Sequence, residues 1–142
     1  TALGIGLAFQ GTGQKDAIEI LRPLLGDEDP AVRRSTALGI GLAFQGTGQK
    51  DAIEILRPLL RDVSEVGLGA GLGIGLAFRG TRQEDAIETL RPLLRDVPDM
   101  RMSAVLGVGL TLQRVRESRI LLGVLYYGAL GRWWWNLFAV FV

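Results

Sequence analysis

Twenty-five consecutive residues, Thr1 to Leu25 (TALGIGLAFQGTGQKDAIEILRPLL), recur without a change at Thr36 to Leu60, a spacing of 35. A third copy follows 34 residues later, from Ala70 to Leu94 (AGLGIGLAFRGTRQEDAIETLRPLL), and a worn fourth opens at Ala104 with AVLGVGLTL, another 34 on. A unit of this length cannot enclose a core by itself, so each copy must bury its apolar face against its neighbours. The 142 residues therefore form one stack of similar units and not a globule with an insertion.

Within a unit, the second half has the periodicity of an amphipathic helix. Ala52, Ile55, Leu56 and Leu59 fall on one side, with Lys50, Glu54, Arg57 and Arg61 opposite. Pro58 removes an N–H and leaves the Glu54 carbonyl without its usual donor, which predicts a kink there and at Pro23 and Pro92. The first half, Ala37-Leu-Gly-Ile-Gly-Leu-Ala-Phe44, alternates small and large residues and could pass for a strand. The lead-in decides for a helix, because Asp29-Pro30 is an N-cap followed by a first-turn proline and no breaker intervenes before Phe44. Gly46 then reads as a C-cap glycine. The expectation is helix A over 30–45, a turn over 46–49 and helix B over 50–61. Helix A, apolar all round, is expected to be enclosed by its neighbours. The fold class is thus all-α, an α-solenoid of helix hairpins. Because the first copy opens inside helix A, the sequence reads as a fragment of a longer array.

Composition removes most chemistry. With no Cys and no His, the chain has neither thiolate nor imidazole ligands for a metal, no disulfide framework and no histidine base. A net charge of +1, from 16 basic and 15 acidic residues, offers no basic excess for a phosphate backbone, so nucleic acid is not an expected partner. No cofactor and no enzymatic activity are expected.

Three constellations could carry chemistry and read better as structure. Gly46-Thr-Gly-Gln-Lys50 resembles a phosphate loop only in outline, since such a loop needs Lys directly after the glycine and then a hydroxyl residue. Gly39-Ile-Gly41 and Gly73-Ile-Gly75 lack the third glycine and the preceding strand of a dinucleotide fingerprint, and close helix packing explains them. The carboxylates Asp51, Glu54, Glu84, Asp85 and Glu88 lie on the outward stripe of helix B, where Glu54–Arg57 and Glu88–Arg91 are expected as ordinary surface pairs. No residue of that stripe is singled out for protein binding.

The combination of A-L-G-I-G-L-A-F, G-T-G and D-A-I-E-I-L-R-P-L-L, with D-x-x-x-V-R between units, resembles the proteasome/cyclosome repeat. The resemblance covers Thr1 to Leu94 and the opening of a fourth unit. It implies a toroid-type array acting as a non-catalytic scaffold of the regulatory-particle base of the proteasome, with proteasome subunits or ubiquitin-like domains as partners. It further implies a cytoplasmic or nuclear location. The alternative is a bacterial HEAT-like repeat adaptor attached to a membrane through its C-terminal segment.

That segment has a different character. Residues 1–113, read as three repeats and the start of a fourth, carry 12 basic and 14 acidic groups, whereas 114–142 carry four basic and one acidic. In the stretch aligned with helix B, Leu122, Leu125 and Tyr126 replace Glu88, Arg91 and Pro92. Residues 114–142 are therefore expected to be a degenerate or mis-translated hydrophobic repeat end, with a face that packs on further chain or a partner, and a membrane segment, as the alternatives. A membrane span over 120–142 is disfavoured by Arg132 near its centre, where a charge costs about 2.5–3.5 kcal/mol.

Overall fold

The computed structural model describes residues 1–113. The expectations for residues 114–142, including membrane attachment through 120–142, lie outside them. Among the described residues there are seven α-helices and no strand: α1 (Ala2–Ala8), α2 (Lys15–Leu21), α3 (Pro30–Ala43), α4 (Lys50–Leu56), α5 (Ser64–Ala77), α6 (Glu84–Leu90) and α7 (Pro98–Leu112). The all-α solenoid is what the structure shows.

Local chemistry sets the helix boundaries. The Asp29 carboxylate accepts the Ala31 N–H at 2.8 Å and Pro30 opens α3, which satisfies one of the first-turn donors that have no partner inside the helix. Helix A ends at Ala43, two residues before the expected limit. Helix B, expected as one helix over 50–61, divides: α4 stops at Leu56 and the chain continues as the 3-10 helix Arg57–Arg61, with Pro58 in its first turn. The same change occurs at Arg22–Gly26 and Arg91–Arg95. The prolines thus produce a tightened last turn, because a residue without an N–H cannot carry the α-helical ladder across this point.

The odd-numbered helices lie side by side in one layer, and α2, α4 and α6 cover it from one side. Between the layers sit Leu21, Ile40, Phe44, Leu56, Ile74, Phe78 and Leu90, all fully buried. The deepest residues of helix B are Ala52, Ile53, Leu56 and Leu60, while Ile55 and Leu59 are half-buried, so the apolar stripe is rotated slightly from its expected position.

The layer of odd helices is closed by glycine. Gly6 faces Gly39, Gly41 faces Gly73, and Gly75 faces Gly107, backbone against backbone. A Cβ at Gly75 would lie 2.5 Å from the Gly107 Cα, and one at Gly39 would lie 2.5 Å from the Ala2 carbonyl oxygen. No side chain fits at such distances. The two glycines of each G-I-G therefore serve opposite neighbours: the first meets the preceding A helix and the second the following one. Each costs about 1 kcal/mol of helix propensity, which dispersion between closely approaching backbones offsets. The enclosure of helix A is incomplete, however, because Leu38, Leu42, Leu72 and Leu76 are only half-buried and form an open inner face.

Candidate interaction surfaces

The Gly-Thr-Gly turn ties each unit to the next. Gly46 and Gly48 take left-handed φ values of 70° and 64°, which turns their N–H groups outward onto the end of α5. Gly46 donates to the Leu76 carbonyl at 3.1 Å and Gly48 to the Ala77 carbonyl at 3.0 Å. Gly11 and Gly13 make the same bonds to Leu42 and Ala43, and Gly80 and Arg82 make them to Leu110 and Thr111. The carbonyls at the last turn of a helix lack α-helical partners; here the Leu76 carbonyl accepts the Arg79 N–H of its own unit at 3.1 Å as well as that of Gly46, and the preceding unit's Gly48 N–H reaches the Ala77 carbonyl. Thr47 fixes the turn by donating its hydroxyl to the Phe44 carbonyl at 2.7 Å. Gly46 is thus not the C-cap of its own helix, as the sequence pattern suggested; Phe44 caps α3, and Gly46 caps α5.

This arrangement also disposes of a phosphate loop at Gly46–Lys50. The two glycine N–H groups that would cradle a phosphate are bound to carbonyls, and the Lys50 ammonium lies 2.8 Å from Asp85 of α6. The hydrogen bond to Asp85 holds the Lys50 pKa above its ordinary value.

The inner face is built from one stripe of each A helix. Leu3, Leu38, Leu72 and Leu106 form one row across the stack, and Leu7, Leu42, Leu76 and Leu110 form a second. Leu3 and Leu7 are 38% and 55% exposed, and Met102 extends the patch at 47%. Polar groups border it. The Gln10 side-chain amide donates to Gln45 at 2.5 Å, and the Arg79 Nε donates to Gln113 at 3.1 Å. On the other side, Arg34 pairs with Glu65 at 3.1 Å. An apolar patch with a polar rim has the anatomy of a protein-binding surface.

The outer face is charged. Between α4 and α6 runs an open groove of about 540 Å³, walled by Lys50, Glu54 and Arg57 on one side and Asp85 and Glu88 on the other. Asp51, Glu54, Glu84 and Glu88 are exposed and Asp85 is partly so, a solvated stripe as expected. The expected Glu54–Arg57 and Glu88–Arg91 pairs are not among the ion pairs of the described residues; the charges pair across units, Lys50 with Asp85, and Arg57 reaches the Thr89 hydroxyl at 3.4 Å. Spacing along one helix could not reveal this, because the partners are 35 and 32 residues apart. Among the described residues no group of acidic side chains is placed to hold a metal ion.

One further link was not legible in the sequence. Arg33 donates Nε and Nη2 to the two Asp62 oxygens, each at 3.0 Å, and donates Nη1 to the Asp27 and Glu28 carbonyls. The Arg33 hydrogen bond, with that from the Val63 N–H, holds the Asp62 carboxyl below its usual range.

HEAT repeats are matched over residues 1–70, and the proteasome/cyclosome repeat over residues 69–97. The matched stretches, together residues 1–97, are similar to HEAT and proteasome/cyclosome repeats. The proteasome/cyclosome match spans the third G-I-G helix, its turn and the helix after it, the same residues whose glycines and N–H groups lock the stack. No curated protein matches the chain. Repeats of these two kinds are protein-interaction scaffolds, and that is the level of function they establish here.

Proposed function

We propose that this repeat array is a non-catalytic scaffold similar to a base subunit of the proteasome regulatory particle, organising ubiquitin-dependent proteolysis by holding proteasome subunits or ubiquitin-like domains. The observation that carries this reading is the proteasome/cyclosome repeat matched at 69–97, seated on glycine-to-glycine helix packing. Residues 1–113 act in it as three repeats and the opening of a fourth. Close packing of the odd helices, set against the groove between α4 and α6, supports curvature with the leucine rows on the concave side, the sense a toroid needs. The absence of His and Cys supports a role without catalysis. The cytoplasm or nucleus follows as the place of work, and no helix among the described residues is long and apolar enough to cross a membrane.

The test is affinity capture of the tagged full chain from its host cells. Recovery of regulatory-particle subunits in stoichiometric amounts is expected, and loss of that recovery when Leu38, Leu42, Leu72 and Leu76 are replaced by Ser would assign it to the inner face. Capture with no proteasome subunits would overturn the reading. The HEAT match over residues 1–70 favours a second reading, a HEAT-like adaptor with unrelated partners, and that capture result would be its signature.

A further inference from the structure

The near-identity of the copies supplies an internal control for the charged groove between α4 and α6. Each residue that walls it has a counterpart on α2 or α4 and the turns after them, 35 positions back on one wall and 34 on the other, and only two of these pairs differ. Arg61 stands where the first unit has Gly26, and Thr89 where the second has Ile55. Both changes bring a polar group to the part of the groove that holds Arg57. The Arg57 guanidinium reaches the Thr89 hydroxyl at 3.4 Å, and that hydroxyl gives its own proton to the Asp85 carbonyl at 2.7 Å, so its oxygen is left to hold Arg57. Arg61, one turn further along the same wall, is exposed and has no partner among the described residues. Leu60, Pro92 and Leu93 make an apolar floor beneath the two arginines. Toward the other end Lys50 is matched by Asp85, and Glu54 and Glu88 make no ion pair.

From this comparison of copies we propose that the α4–α6 groove is a docking site for an extended segment of a partner protein in which one carboxylate side chain is flanked by basic residues. The carboxylate enters between Arg57 and Arg61, whose planar forks match its two oxygens, and Thr89 acts as a positioning residue for Arg57. A basic residue of the segment meets Glu54 and Glu88. At α-helical and 3-10 rises the two arginines stand about 5 and 12 Å along the axis from Glu54, the reach of about two to four residues of extended chain. Arg61 also borders the hollow that runs on to Asp96, where a basic residue on the other flank finds a partner. A run of acidic residues is rejected by Glu54 and Glu88, so the groove selects an order of charges and not a net charge. Exposed ion pairs alone hold little; here Arg57 is ordered before the segment arrives, and the apolar floor adds contact. The site is separate from the inner leucine face and would stand if no proteasome subunit bound.

The test is fluorescence anisotropy of the full chain with a labelled peptide, Lys-Ala-Leu-Glu-Leu-Ala-Lys, whose symmetric charges serve either chain direction. One saturable site is expected, weakened about tenfold when Arg61→Gly and Thr89→Ile are made together. These are the residues the repeat itself carries at positions 26 and 55, so the double variant keeps a sequence the fold already accepts. The same peptide with Gln in place of Glu should bind as weakly to the parent chain. The reciprocal chain, Gly26→Arg with Ile55→Thr, should bind two peptides where the parent binds one; a side chain fits at Gly26, where a Cβ meets nothing within 4 Å. Absence of saturable binding by the parent up to about 1 mM, equal affinity of the double variant or of the Gln peptide, or a reciprocal chain that gains no second site would overturn the proposal.

Discussion

Arg82 occupies the position that Gly13 and Gly48 hold in the first two copies, and it keeps their left-handed backbone at φ 56°. A non-glycine residue there costs about 1–2 kcal/mol. Glycine relieves that strain but gives back roughly 0.4–1 kcal/mol through the freer unfolded chain. Arg82→Gly is therefore expected to stabilise the chain by up to about 1 kcal/mol, read from urea denaturation. The opposite sign is expected at Gly41, whose Cβ would lie 2.6 Å from the Gly73 carbonyl oxygen. Gly41→Leu should lower stability by about 1–3 kcal/mol or more despite better helix propensity, with Gly41→Ala a milder loss. A raised urea midpoint for Gly41→Leu would contradict the packing described for that residue.

Helices were legible in the sequence wherever their determinants are local. Asp29-Pro30 marked the start of α3 to the residue, and the amphipathic stripe found α4. Less could be seen where the determinant lies a unit away. Nothing near Gly46 shows that its N–H is bound to Leu76, and nothing near Arg33 points to Asp62, 29 residues on. The inner leucines were misjudged as enclosed because a helix apolar all round looks the same whether its last face meets protein or water. The Arg33–Asp62 link gives a prediction at this scale. Since the folded carboxyl titrates below its unfolded value, its contribution is present above the unfolded pKa of about 3.9 and is lost as pH falls through the folded one. Asp62→Asn should destabilise the chain at pH 7, and the gap to the parent should narrow steadily as the pH is taken below about 4. A gap that stayed constant across that range would show that the ionised form of Asp62 is not what matters.

For the whole molecule, far-UV circular dichroism of residues 1–113 should be dominated by helix, and a β-type spectrum would refute the architecture. The inner face predicts a second whole-molecule property: with two rows of leucine half open to water, the array should bind a hydrophobic dye at neutral pH. Replacing Leu38, Leu42, Leu72 and Leu76 by Ser should abolish most of that signal with little loss of helix, since none of the four is fully buried.

The turns also give the stack a direction. Each one donates two N–H groups to the helix end of the unit that follows, while its own helix end receives the corresponding pair from the unit before. Damage should therefore be inherited downstream. Gly46→Val, which strains a left-handed turn in the second unit, should fray the end of α5 in the third, and hydrogen exchange should record faster opening around Leu76 to Phe78 than around Leu42 to Phe44. A chain wired this way reads out an error one repeat away from where it was made, always toward its C-terminus.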